Sequence, residues 1–458
     1  MSNPTIPSVL ALYLKLVPGT FSSRLPSGSK RRCYRSVFSL PVVVWLMIFQ
    51  RLDGKGTLSA AVQQVVGGLP PGLNPRPAKR QREGTVSSNT GGYNYARQKL
   101  SLEVVQQVSD RILEQLQTSS ELGGRMYILD GTTLTTPCTP SLLLAYPPSR
   151  NQMGESHWPI LRLLVAHDLD CGMALRPEWG PASGPKTVSE QRLTEQLLGR
   201  LPQGAGIMGD QNFGVFSIAW AAKQQDHPVL LRLTPERAQR TFGSMLHSGT
   251  DLEMDWKPSR SDRASHPQLP LDAVVTGRLI VQKVYPSDGS PAIKLFLFTT
   301  LDRSPKEIVQ IYAQRWNVET DLRTIKKTIR LEILRCQTPE MVAKELTLAI
   351  TAYNLVRAVI NESARRTGMN PRRYSFSRVQ DLINAWLPRF AAISSDVERE
   401  AEYERMIKHA AQCKLYKRKK LTSYPRAVWH RRRTFPPHKT VPSTQPNQKE
   451  SLRKGEQS

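Results

Sequence analysis

The chain is expected to fold as an α/β protein, and three features carry that expectation. RMYILDG (125–131), ILRLLVAHDL (160–169) and AGIMGD (205–210) are short apolar runs with strand character. Between and after them, VSEQRLTEQLLGRL (188–201) and FGVFSIAWAAKQ (213–224) repeat their apolar residues at helical spacing. Strands alternating with helices argue for helices layered on a sheet. The third feature is a change of character over residues 227–303. There HPVLLRL, AVVTGRLIVQKV and IKLFLFTTL read as strands separated by Pro/Gly/Ser loops, a β-rich insertion into the alternating pattern.

Taken in order, residues 1–35 are Pro/Ser/Arg-rich and expected to be weakly ordered. Residues 36–116 read as a helical, basic N-terminal region expected to bind DNA. It is broken near Asp53-Gly54-Lys55-Gly56, crossed by a Pro/Gly-rich linker at 67–92, and resumes as a helix from Tyr95 to about Leu116. Residues 117–226 hold the first part of the core, in which CGMALRPEW (171–179) follows ILRLLVAHDL as the second arm of a hairpin. The insertion at 227–303 comes next. Residues 304–395 form the second part of the core, with one long helix over 311–334 and another over 341–366. Residues 396–458 are a basic tail, whose stretch 414–439 has ten Lys/Arg, no acid, and Tyr416, Tyr424, Trp429 and Phe435 interleaved.

With 458 residues, 39% hydrophobic, the chain can bury two or three cores. Its net charge of +26 repels itself unless a polyanion is the partner, and nucleic acid is the default candidate. The five cysteines (33, 138, 171, 336, 413) lack CxxC spacing, which fits reduced thiols rather than a disulfide frame or zinc site. LPVVVWLMIF (40–49) is too short to span a bilayer, and the first residues lack the basic start of a signal peptide. The expected location is the cytoplasm, with no membrane partner.

IYAQRWNVETDLRTIKKTIRLEIL (311–334) is the most informative stretch. As one α-helix, at 100° per residue, it gathers Tyr312, Arg315, Glu319 and Lys326 within an arc of roughly 60°, joined by Arg323. Ile311, Val318, Leu322, Ile325 and Ile329 form a core-facing stripe about 90° round. A structural helix tends to interleave acids and bases. A single acid among cations suggests instead a metal-binding carboxylate flanked by phosphate-binding side chains. Phosphodiester chemistry with two metal ions needs carboxylates from separate elements, and Asp130 and Asp210 each end a strand. Singly, either aspartate also reads as a turn or cap residue. His157 and His167 read as packing or surface residues, and Trp45 and Trp220 as core. Lys186, Arg192 and Arg232 read as channel-lining or merely solubilising.

The spacing Tyr-x₂-Arg-x₃-Glu-x₆-Lys, met by Tyr312, Arg315, Glu319 and Lys326, resembles the signature of DDE transposases of bacterial insertion sequences, in the group known as insertion-sequence family four. LDGTTL (129–134) resembles the first-aspartate strand of that group and GIMGDQNFGVF (206–216) its second-aspartate segment; the likeness covers roughly residues 36–435. Gln211-Asn212 departs from the pattern, where a basic residue is common. The resemblance implies an RNase H-like catalytic core, with Asp130, Asp210 and Glu319 as catalytic residues and ligands of two Mg²⁺ ions, for which Mn²⁺ can substitute. It implies Tyr312, Arg315, Arg323 and Lys326 on DNA, cleavage and strand transfer at terminal inverted repeats, and a homodimer on double-stranded DNA in the nucleoid. It also implies an insertion-domain aromatic stacked on a flipped base, with Trp256 and Phe242 as candidates. An inactive or domesticated DNA-binding protein of the same fold, or a metal-dependent nuclease without strand transfer, would share the basic surface.

Overall fold

The computed structural model describes residues 36–416, apart from 55, 70–72, 74–76, 119–125, 152–153, 156, 244–245, 286–290, 333 and 394. The weakly ordered start expected at 1–35 and residues 417–458 of the basic tail expected at 396–458 lie outside the described residues, whereas 396–410 of that tail form a helix that buries Tyr403, Met406 and Ile407.

The N-terminal region is helical. α1 (Leu40–Leu52) is buried almost all round, from Pro41 through Phe49 and including Trp45, so it behaves as an interior helix rather than an amphipathic surface one. α2 (Leu58–Val66) starts where the Thr57 hydroxyl accepts from the Ala60 amide. The single helix expected from Tyr95 is two, α3 (Gly91–Lys99) and α4 (Leu102–Thr118). Leu100 is extended and the Ser101 hydroxyl accepts from the Val104 amide, so a new cap restarts the helix.

One eight-stranded sheet follows. Its strands are β1 (Met126–Thr135), β2 (Ile160–Asp168), β3 (Glu178–Pro181), β4 (Gly206–Gly209), β5 (Val229–Arg232), β6 (Asp251–Trp256), β7 (Val275–Val284) and β8 (Ile293–Thr299), in spatial order β3-β2-β1-β4-β5-β8-β7-β6. β1, β2 and β3 pair antiparallel, whereas β1-β4 and β4-β5 pair parallel. The strands of residues 227–303 continue this same sheet, β5-β8-β7-β6, all antiparallel. The expected hairpin arm at 171–179 contributes only an isolated bridge, His167 to Ala174, and regular pairing starts at Glu178. The Asp168 carboxylate accepts from the amides of Asp170 and Cys171, and these bonds draw the chain into a turn before it can pair.

α5 (Glu190–Leu198), α6 (Phe216–Lys223) and α7 (Pro235–Phe242) link the strands. α8 (Pro305–Ala313) and α9 (Trp316–Arg323) lead to α10 (Pro339–Thr367), then α11 (Phe376–Ala392) and α12 (Asp396–Ala410). α10 is buried continuously from Met341 to Ala364. Thr338 caps its start, Pro339 occupies the first turn, and Gly368 in the left-handed region closes it. Among the described residues, no helix is long and apolar enough to cross a membrane, and Cys138, Cys171, Cys336 and Cys413 are free thiols.

Candidate active site

The signature stretch is not the one regular helix its spacing suggests. α8 begins with a capping box between Ser304 and Glu307. The chain then tightens, with the amides of Gln314, Arg315, Asn317 and Val318 each bonding to the carbonyl three residues back, the pattern of a 3₁₀ turn. After α9 it loosens into a π-helical turn, Thr324–Thr328, where the Ile329 amide reaches the Thr324 carbonyl five residues back. Helix ends at Thr328, before the expected 334. Across these changes of pitch Val318, Leu322, Ile325 and Ile329 all stay buried, while the polar residues are re-aimed individually rather than along one stripe.

Asp130 and Asp210 come together on neighbouring interior strands: Asp210 follows the end of β4, as expected, whereas Asp130 lies in the middle of β1, which runs on to Thr135 in its pairing with β2 instead of ending there. Parallel pairing of β1 with β4 runs Met126 to Gly206 and Ile128 to Met208, and two residues further Asp130 stands level with Asp210. The C-terminal ends of adjacent parallel strands form the crevice where α/β proteins place ligands. Burial pushes the Asp130 carboxyl up to about 6; the Gly131 amide donating to it and the Arg315 charge oppose the rise, and the Asp210 and Glu190 charges add to it. Asp210 caps a tight turn, its side chain accepting from the Asn212 amide at 2.9 Å and its carbonyl from those of Phe213 and Gly214. A Cβ on Gly214 would lie 2.0 Å from the Arg232 carbonyl, so only glycine lets this turn lie against β5.

Glu319 does not join them at ligating distance. Its side chain is 43% exposed and held by Arg315 at 3.3 Å, and among the described residues no three His, Cys, Asp or Glu are grouped closely enough to hold a metal ion. The link is indirect: Arg315 pairs with Glu319 while its charge reaches Asp130. Lys326, on the π turn, donates to the Thr132 hydroxyl at 2.9 Å, two residues beyond Asp130 on β1. Tyr312 is buried; its hydroxyl lies beside the Arg232 guanidinium without a well-aligned hydrogen bond, and burial raises its pKa. Arg323 is exposed.

Three features escaped the sequence. Glu190, at the start of α5, sits over Gly131 so closely that a Cβ there would lie 2.1 Å from its carboxylate oxygen. It also accepts from the Asn212 side chain at 2.5 Å, and Gln191 donates to the carbonyl and side-chain oxygens of Asn212, each at 2.8 Å. Glu190 and Asn212 therefore clasp the two aspartate segments together. An acid in the first turn of a helix is so common that nothing in VSEQRL marks it. Second, Arg232, read from the sequence as channel-lining or merely solubilising, lies beside Tyr312, a neighbour that strand β5 alone did not signal.

Third, Asp321 is fully buried. It is ion-paired to Arg357 and Arg372, accepts from the Tyr353 hydroxyl at 3.1 Å, and lies 3.9 Å from His167. Burial works against its charge, but the two arginines and His167 outweigh it and hold its carboxyl below the usual range. His167 is thus a core residue of this cluster, as packing suggested, and His157 is exposed. Trp256 and Phe242, expected as stacking candidates, are buried in an aromatic cluster with Phe216 and Phe298, Trp256 edge-on to Phe298 at 4.8 Å. Their rings are engaged in the core and present no face to a base.

Residues 121–355, a little over half of the chain, match the sequence model of the family described as Transposase DDE domain. The chain is also similar to the Transposase InsG for insertion sequence element IS4 of Escherichia coli (strain K12), 26% identical over 298 residues. That match covers 63% of this chain and 65% of the relative, so the chain spans just under two thirds of the length of the curated relative it matches.

Proposed function

Since the chain belongs to the transposase DDE domain family, we propose that it is a DNA transposase that cleaves and joins strands at the terminal inverted repeats of its own element. The observation that carries this reading is the level placement of Asp130 on β1 with Asp210 at the end of the adjacent parallel strand β4, beside an acid-bearing helix rich in cations. The order β3-β2-β1-β4-β5, three antiparallel strands followed by two parallel ones, supports an RNase H-like core.

Asp130 and Asp210 would hold a pair of divalent cations, Mg²⁺ or Mn²⁺, with Glu319 as the further ligand once it is freed from Arg315. Asp130 is disfavoured as an anion by burial and by two neighbouring carboxylates, a repulsion that a bound cation offsets. When bound, the ions would activate water or a DNA 3′-hydroxyl and stabilise the leaving oxygen. Arg315, Arg323 and Lys326 grip phosphate and offset the negative charge that builds in the transition state. Tyr312 bounds the pocket beside Arg232. A phosphate on Arg315 competes with Glu319 for the guanidinium, so DNA binding releases the third carboxylate toward the aspartates. The helical region 36–116 and the excess charge of +26 extend the DNA contact, and a homodimer synapses two ends in the nucleoid of the cytoplasm.

The test is strand transfer from a pre-cleaved end duplex with Mg²⁺. Joined product that disappears in both Asp130→Ala and Glu319→Gln supports the reading. Cleavage without joining would make the protein a nuclease, and activity surviving in both variants would overturn the assignment of the acids.

A further inference from the structure

A second site lies where the N-terminal helices meet the segment leading into α10. Arg51 from α1, Arg97 from α3 and Arg335 from the loop before α10 line one cavity of about 560 Å³ together with Cys336, Thr338 and Glu345. None of the residues described around Asp130 and Asp210 lines it. Its volume lies in the range of small-molecule sites.

The charges in this cavity do not balance. Among the described residues, Glu345 is the one carboxylate lining it. That carboxylate is ion-paired to Arg51 and also takes the backbone amides of Arg335 and Cys336 at 3.3 and 3.2 Å. Arg97 is nine-tenths buried, yet its Nη2 donates only to the Cys336 sulfur at 3.2 Å and its Nε has no partner. Burial raises the Cys336 thiol, so that sulfur is a neutral acceptor and supplies no counter-charge. Arg335 meets the Gly56 carbonyl at 3.4 Å, again without a carboxylate. Thr338, on the lining, is the cap of the 29-residue helix α10, whose dipole adds positive potential there. Glu340 in its first turn is neutralised by Lys344 at 2.8 Å. A buried guanidinium without an anion is costly, and planar guanidinium forks at a helix N-terminus suit phosphate oxygens.

We infer that this cavity is a binding site for a nucleoside phosphate, either a free mononucleotide or the phosphorylated terminal nucleotide of a DNA strand. The phosphate sits between Arg97 and Arg335 at the start of α10, and the remaining volume takes the nucleoside.

The experiment is equilibrium dialysis of adenosine 5′-monophosphate against the full-length protein in a metal chelator, at ionic strength fixed with sodium chloride. Saturable binding is expected, weakened at least about tenfold in Arg335→Gln. That residue is exposed, so the variant keeps the fold even where Arg97→Gln loses it. Arg315→Gln, at the carboxylate site, is expected to bind normally. Equal binding by wild type and Arg335→Gln, or no saturation up to about 10 mM, would overturn the inference. A duplex with a 5′-phosphate distinguishes the sources. Exclusion of the mononucleotide by that duplex, but not by a 5′-hydroxyl duplex, assigns the site to a DNA end; simultaneous binding assigns it to the free nucleotide. The measurement needs no metal or strand transfer, so its failure and the failure of the transposase reading are separate results.

Discussion

Glu319 and Asp321 lie two residues apart on α9, and they are used in opposite ways. Asp321 points inward, has no exposed surface, and is matched by Arg357, Arg372 and the Tyr353 hydroxyl. Glu319 points outward, is 43% exposed, and is ion-paired to Arg315 at 3.3 Å. A residue spacing of two turns a side chain through about 200° on a helix, so one short element pins itself to the core with one acid and offers the other. The inner carboxylate is expensive to disturb because its partners are buried charges; the outer one is cheap to re-pair. That difference is what a site needs if its scaffold must stay fixed while one ligand changes partner.

The sharpest way to break the comparison is Glu319→Gln. Cleavage of an end duplex should fall by about 10³-fold or more, some 4 kcal/mol of barrier, while the denaturation midpoint moves by less than about 1 kcal/mol. A large loss of stability would mean that Glu319 is structural after all. Asp321→Ala should do the reverse, costing about 3–5 kcal/mol of stability by leaving Arg357 and Arg372 uncompensated, measured by urea unfolding. A near-neutral result would show that the buried cluster is not an anchor.

Next in size is Glu190→Gln, which removes charge from the clasp over Gly131 and Asn212. Manganese affinity measured by electron paramagnetic resonance should drop about 10–100-fold, and unchanged affinity would separate Glu190 from the aspartates.

His167 supplies a pH dependence. Burial first, and then the Arg372 and Arg357 charges against the pull of Asp321, lower its pKa to about 4, below the ordinary 6.5 it recovers on unfolding. The unfolded chain therefore takes up this proton first, and stability should fall as pH drops from about 6.5 toward 4. His167→Gln should flatten that part of the stability curve. The smallest effect is expected for Lys326→Met, which should lower the salt dependence of DNA binding by about one unit of slope, with sequence preference unchanged.

The sequence made the alternating strands and helices legible because apolar period and length are local properties. It also made the pairing of Asp130 with Asp210 legible, since each closes a short buried run. The helix over 311–334 was legible as an element but not in its pitch. A regular helix would also bring Val318, Leu322, Ile325 and Ile329 to one face, so the 3₁₀ turn at 314–318 and the π turn at 324–328 are not written in that apolar pattern. Asp321 was hidden among the signature residues because its partners lie 36 and 51 residues away. Trp256 was misread for a related reason, since a tryptophan in a polar strand looks available until β6 and β8 bring Phe298 to its face.

The sheet carries one more consequence. β5 and β8 are hydrogen-bonded neighbours, with Arg232 opposite Leu297 and the Leu233 amide bonded to the Phe296 carbonyl. The sixty residues numbered 233–292 between them begin and end side by side, like a detour whose two ends share one doorway, and they carry β6 and β7, which extend the sheet beyond β8. Closing a loop costs free energy only as the logarithm of its length, so this doorway tolerates large changes in what lies beyond it. Length is therefore tolerated in the loops of this region rather than in its packed parts, because Arg237 donates to the Gly214 carbonyl on the Asp210 turn and Trp256 packs on Phe216 just beyond it.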